Sequence, residues 1–139
     1  MAIKIYTDFA HACDNFARVY IGGKTDMGAI KTFLVLMLVT LIAYTAMVIG
    51  SYGLNLFPYF FGDMAELTWA GQFNLDFMFM LALSALWVAW RNQFSGAGLG
   101  LAVLAFFGGA LFLGFYLLYL IKQESGDAVR IMIGSRGAA

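Results

Sequence analysis

Three long apolar runs set the hydropathy pattern of this chain: Phe33 to Gly50, Phe73 to Trp90 and Leu99 to Ile121. Crossing the hydrocarbon core of a bilayer takes roughly 20 apolar residues in a helix, and each run is of that order. From Phe33 to Ile121 the only charged side chains are Asp63, Glu66, Asp76 and Arg91. A soluble domain could not cover that much apolar surface with so few charges. The pattern predicts an all-α integral membrane protein, one domain over 1–139, with transmembrane helices at 27–51, 73–92 and 99–122.

The segments between the runs have characters of their own. Over 1–23, Ile5, Phe9, Cys13, Phe16 and Tyr20 recur at near-helical spacing, with Asp8, His11, Asn15 and Arg18 on the other sides. This predicts an amphipathic helix lying at the membrane interface, or packed on a partner protein. Gly22 and Gly23 would end it, and Thr25 and Asp26 would cap the first membrane helix. Lys31, one turn in, can reach back to the interface along its own stem. The connection 52–72 is aromatic, with Phe57, Tyr59, Phe60, Phe61 and Trp69, and suits the membrane–water boundary. Pro58 marks a turn, and the D-x-x-E pattern of Asp63 and Glu66 predicts a short helix opening at Met64. Trp69, Trp87, Trp90 and Arg91 read as interfacial anchors. Residues 92–98 form a tight glycine-rich turn. In the polar tail 123–139, Val129, Ile131 and Ile133 alternate with Arg130 and Met132, a strand signal.

Composition narrows the function classes. The 139 residues are 63% hydrophobic and 12% charged, against about 25% charged in soluble domains. The net charge is zero, which implies no nucleic-acid partner. Cys13 is alone, so an intrachain disulfide and a CxxC motif are both excluded. The first twenty residues hold charges throughout and no apolar h-region, so no cleavable signal peptide is expected. Lys4, Arg18, Lys24 and Lys31 precede the first run, 52–72 has no Lys or Arg, and Arg91 closes the second run. The positive-inside rule then puts the N-terminus and the 92–98 turn in the cytoplasm and 52–72 outside. Three crossings would send the tail outside, with Lys122, Arg130 and Arg136, against the same rule.

Asp76 is the sharpest candidate for chemistry. A carboxylate inside a membrane run is costly and marks a proton relay, a cation site or a partner contact. The competing reading makes it a helix-start carboxylate: with the helix opening near Phe73, Asp76 and the neighbouring Asn74 fall in the first turn, where backbone N–H groups favour an anion. His11, Asp8, Asp14 and Cys13 are too few and too poorly spaced for a zinc site, and read as a solvated helix face. None of the three runs contains a histidine to ligate a haem or pigment. Gly98, Ala102, Ala105 and Gly109 form a small-residue stripe, with Ala110 and Gly114 as a second pair. Such stripes let helices approach closely in lipid, either within the chain against the first helix, the default, or against another chain. The aromatic faces of the second and third runs fit bundle packing or lipid, or a groove for a quinone, carotenoid or lipid. No Walker loop, GxSxG elbow, HExxH or dinucleotide fingerprint occurs.

From Ser51 onward the order of features is familiar. Phe57-Pro58-Tyr59 lies in the loop, Leu75-Asp76 opens a helix that contains Leu83-Ser84-Ala85, an Arg-containing turn follows, and a glycine- and aromatic-rich helix closes the pattern. This resembles a family of small bacterial three-helix integral membrane proteins of unknown function. The likeness covers about two thirds of the chain and implies a fold and a bacterial inner-membrane address, but no activity. The sequence leads to a non-catalytic accessory or structural subunit of a larger membrane assembly, not an enzyme, with membrane lipid and other subunits or further copies as partners. The alternatives are a binder of a lipophilic ligand and an oligomeric channel or transporter using Asp76. No cofactor or metal is evident in the sequence.

Overall fold

The computed structural model describes residues 27–134. The amphipathic segment 1–23, its glycine cap, the cluster around His11, the capping role of Thr25 and Asp26, and Arg136 lie outside the described residues. Five helices follow one another: α1 (Gly28–Tyr52), α2 (Phe57–Ala65), α3 (Trp69–Arg91), α4 (Gly96–Gln123) and α5 (Ala128–Ile133). The described protein is all-α, and α1, α3 and α4 are long and apolar enough to cross a membrane.

Most of its apolar side chains face outward, including Phe33, Met47, Phe73, Phe79 and Phe107. That distribution suits a solvent of lipid, where burying hydrocarbon inside the protein gains nothing over leaving it in acyl chains. The small core gathers at one end, where Met27, just before α1, and Leu34 of α1 meet Val88 of α3, Tyr116, Leu120 and Ile121 of α4, and Ile131 of α5.

The middle helices start earlier than the apolar runs suggest. Thr68 caps α3, its hydroxyl accepting a hydrogen bond from the Gly71 N–H at 3.3 Å. Polar Gln72 and Asn74 hide this start from a hydropathy reading that opens at 73. Ser95 caps α4 in the same way through the Gly98 N–H at 3.1 Å, so α4 opens at 96 instead of 99. The short helix of the 52–72 connection is α2, and it holds Pro58 within its first turn instead of after a bend. Proline suits that place because the first-turn N–H groups have no helical acceptor. Asp63 and Glu66 therefore sit at the end of a helix and do not open one at Met64. The alternating tail is also helical. Asp127 accepts from the Val129 and Arg130 N–H groups at 3.0 and 3.1 Å and starts α5, so side-chain capping overrides the two-residue alternation.

One feature of α4 reorganises the molecule. Gly109 has φ 53° and ψ −139°, which breaks the helix into arms 96–108 and 110–123. That backbone region is in practice restricted to glycine. A straight 28-residue helix would be about 42 Å long and would part its ends by that distance. Instead, Asn92 Nδ2, just before α4, donates to the Tyr116 hydroxyl at 2.8 Å. Glu124, just after α4, meets Arg91 at 3.1 Å. The second arm runs back beside the first, so α4 is a helical hairpin. Both of its ends lie at the Arg91 end of the molecule, and the expectation that the third helix carries the tail to the opposite end is overturned.

Candidate functional site

The two candidate features lie in different parts of α3. Near its start, Asn74 is half-buried and points to α2. Its side-chain amide donates to the Phe60 carbonyl and to the Asp63 carboxylate, each at 3.2 Å. Gly71, one turn earlier, lets α2 come this close. A Cβ there would collide with the Asp63 carbonyl and stand 2.8 Å from Met64 Cα. Asn74 is thus a bracket between two helices, a role invisible to the first-turn reading.

Asp76 comes two residues later, which at 3.6 residues per turn places it nearly opposite Asn74 around the helix. It is the eighth residue of α3 and lies beyond the four N–H groups left free at a helix start. The capping reading required a helix that opens near 73 and fails on this geometry. Asp76 is exposed, and among the described residues it has no hydrogen-bond or ion-pair partner. Its surroundings along the helix are Phe73, Phe79, Met80 and Leu83, all exposed. Trp69 stands almost fully exposed at the start of the helix.

The other end of α3 is a clasp. Arg91 is only 8% exposed. Its Nε donates to the Ile131 carbonyl at 2.7 Å, and Nη2 donates to Glu124 Oε1 at 3.1 Å and to the Arg130 carbonyl at 3.2 Å. Trp87 Nε1 donates to the Met132 carbonyl at 3.1 Å, and its ring meets Tyr116 edge-on at 6.1 Å. Asn92 bridges the Val88 carbonyl at 2.7 Å and the Tyr116 hydroxyl. Of the four residues read as interfacial anchors, Arg91 and Trp87 instead hold α5 and the second arm of α4, while Trp69 and Trp90 remain at the surface. Through Nε and Nη2, Arg91 ties the end of α3 to Glu124 and to two carbonyls of α5, a structural role.

The small-residue stripe is internal. Gly98, Ala102 and Ala105 are buried, and a Cβ at Gly109 would stand 3.2 Å from Leu81 Cδ2 of α3. Gly114, on the second arm, meets α1, where a Cβ would stand 2.9 Å from Leu38 Cδ2. The two small-residue sets therefore do not share one neighbour: Gly109 packs on α3 and Gly114 on α1. A shallow, open apolar depression of about 490 Å³ lies along α1, lined by Phe33, Met37, Thr40 and Tyr44 among others, with Ala110 of the hairpin at its edge.

Among the described residues no three His, Cys, Asp or Glu side chains come together as a metal site would require. Sequence reasoning missed the partners of Arg91, Asn92 and Asn74, because each is set by a contact between distant residues. One signal was present: the basic residues after α4 conflicted with a straight third crossing. Comparison with known proteins finds no matching family model, no matching curated protein and no matching solved structure.

Proposed function

We propose that this chain is a non-catalytic accessory or structural subunit of a larger membrane assembly, joined to its partner through the α3 face that carries Asp76. The observation that carries this reading is the exposed carboxyl of Asp76, without a partner among the described residues and flanked by Phe73, Phe79 and Met80. A charged group at the centre of a lipid-facing helix costs about 2.5–3.5 kcal/mol or more, and less toward its ends, which is why such groups face protein or water. The described cations offer no relief within the chain. Arg91 is fifteen residues further along α3, about 22 Å away, and Lys31, Lys122 and Arg130 cluster at that same end. A second copy inserted the same way would bring another Asp76 and no cation to this depth. A different polypeptide that presents a Lys, an Arg or a polar donor is the better fit. On the resemblance noted above the membrane would be a bacterial inner membrane, and the positive-inside rule would make the basic end cytoplasmic.

A photocrosslinker at Met80, beside Asp76, tests this in native membranes. One defined heteromeric product, lost in Asp76→Leu together with a drop in native particle size, is the expected result. A wild-type chain that migrates alone and is indistinguishable from Asp76→Leu would overturn the reading. If Asp76→Asn instead abolishes an ion flux of the reconstituted protein, the transporter reading replaces it.

The shallow apolar depression on α1 beside Ala110 supports a second reading, a binder of a carotenoid, quinone or lipid tail. Its walls are apolar, and Thr40 and Tyr44 supply hydroxyls to orient a polar head. A pigment spectrum or a stoichiometric quinone in the solvent extract of purified protein is the observation that would favour it.

A further inference from the structure

We infer that α4 does not cross the membrane but enters and leaves it at the Arg91 end, as a re-entrant hairpin, so that the chain spans the bilayer twice, through α1 and α3. This inference is independent of the partner proposed for Asp76. It starts from lengths. The arms 96–108 and 110–123 are each about 20 Å long, well short of the roughly 30 Å hydrocarbon core. Neither arm can cross alone, and together they return to their starting level.

The two feet of the hairpin are fastened there. Asn92 is bonded to Tyr116 at 2.8 Å, Arg91 to Glu124 at 3.1 Å, and Trp87 to the Met132 carbonyl at 3.1 Å. Straightening α4 would break all three and take from Arg91 the Glu124 carboxylate and the α5 carbonyls it donates to. Irregular backbone at membrane depth survives only where protein shields it or water lines it. Gly109 is half-buried against Phe77 and Leu81 of α3, while Gly108 and Ala110 are exposed, so α3 shields the break on one side.

Charge supplies a separate argument. The hairpin puts Lys31, Arg91, Lys122 and Arg130 at one end of the molecule, while the connection at the other end, 53–68, carries only Asp63 and Glu66. Every described cation then obeys the positive-inside rule together. A straight third span would export Lys122 and Arg130 and place the Glu124 partner of Arg91 on the far side of the bilayer.

The test is single-cysteine labelling of the full chain in a Cys13→Ser background. Asn55→Cys reports the acidic end, Gly96→Cys the α3–α4 turn, and Gln123→Cys and Ser125→Cys the exit from α4. All four positions are exposed. A membrane-impermeant maleimide is applied to sealed right-side-out and inverted vesicles. Positions 96, 123 and 125 are expected to label from one side only and position 55 from the other only. Labelling of 123 and 125 from the side of 55 would overturn the inference, and so would labelling of either from both sides in similar amounts. Two exit positions are used because Ser125 has φ 53° and its substitution alone could disturb the turn.

Discussion

The guanidinium of Arg91 and the carboxylate of Glu124 lie 3.1 Å apart although 33 residues separate them. The pair closes the gap between the end of α3 and the end of α4, and the same guanidinium binds two carbonyls of α5. A side chain with a planar fork of donors can hold a carboxylate and a backbone together, which a lysine ammonium cannot reproduce in the same geometry.

Arg91→Ala should therefore release α5 and loosen the hairpin foot. The expected cost is about 2–4 kcal/mol, near the range for breaking a buried pair and lessened because Glu124 retains some exposure. Arg91→Lys should fall between the wild type and Arg91→Ala. Thermal unfolding in detergent and hydrogen exchange over 124–134 would check both; unchanged exchange there would remove the clasp from the account.

Tyr116→Phe removes the hydroxyl that Asn92 reaches but leaves the ring stacked on Phe112 at 5.8 Å and Asn92 still bonded to the Val88 carbonyl. A loss of about 0.5–1.5 kcal/mol is expected, the net worth of one hydrogen bond. Unfolding midpoints measured beside the wild type would test it, and a loss as large as that of Arg91→Ala would contradict it.

Asn74→Leu should free α2 without touching the hairpin. Both acceptors, the Phe60 carbonyl and Asp63, lose their donor. Hydrogen exchange is expected to rise over 57–65 and stay unchanged over 110–133. A global loss of protection would show that the bracket does more than position α2.

Asp76→Leu should move two readouts in opposite directions. The isolated chain is expected to become as stable or more stable in bilayers, since a costly group at membrane depth is gone. Assembly with a partner should weaken. Loss of stability in the isolated chain would mean that Asp76 has a bonding role within it.

Gly114→Leu should separate α1 from the hairpin. A Cβ at that position already approaches Leu38 Cδ2 at 2.9 Å and Met37 Cε at 3.0 Å, and a larger side chain has no room. Overpacking of this kind costs about 1–3 kcal/mol. Reduced disulfide trapping between cysteines placed at Leu41 and Ala110, which line the same depression, would report the separation.

The amino-acid sequence by itself determined the helical class, the apolar helices and their approximate places, because hydropathy is a property of each residue and sums along the chain. It also singled out Asp76, since a carboxyl in an apolar run stands out in any conformation. Helix starts at Thr68 and Ser95 were harder to read, because their capping bonds occupy polar stretches that hydropathy assigns to loops. The third run looked like one straight helix, and only the tertiary structure decided that it doubles back. Its apolar composition is the same in either shape, whereas the choice depends on the left-handed φ at Gly109 and on the contacts Arg91, Trp87 and Asn92 find with residues 24 to 45 positions away. Those contacts also decided the role of Arg91, which the sequence shows as a basic residue at a helix end and the fold turns into the clasp that holds three helices together.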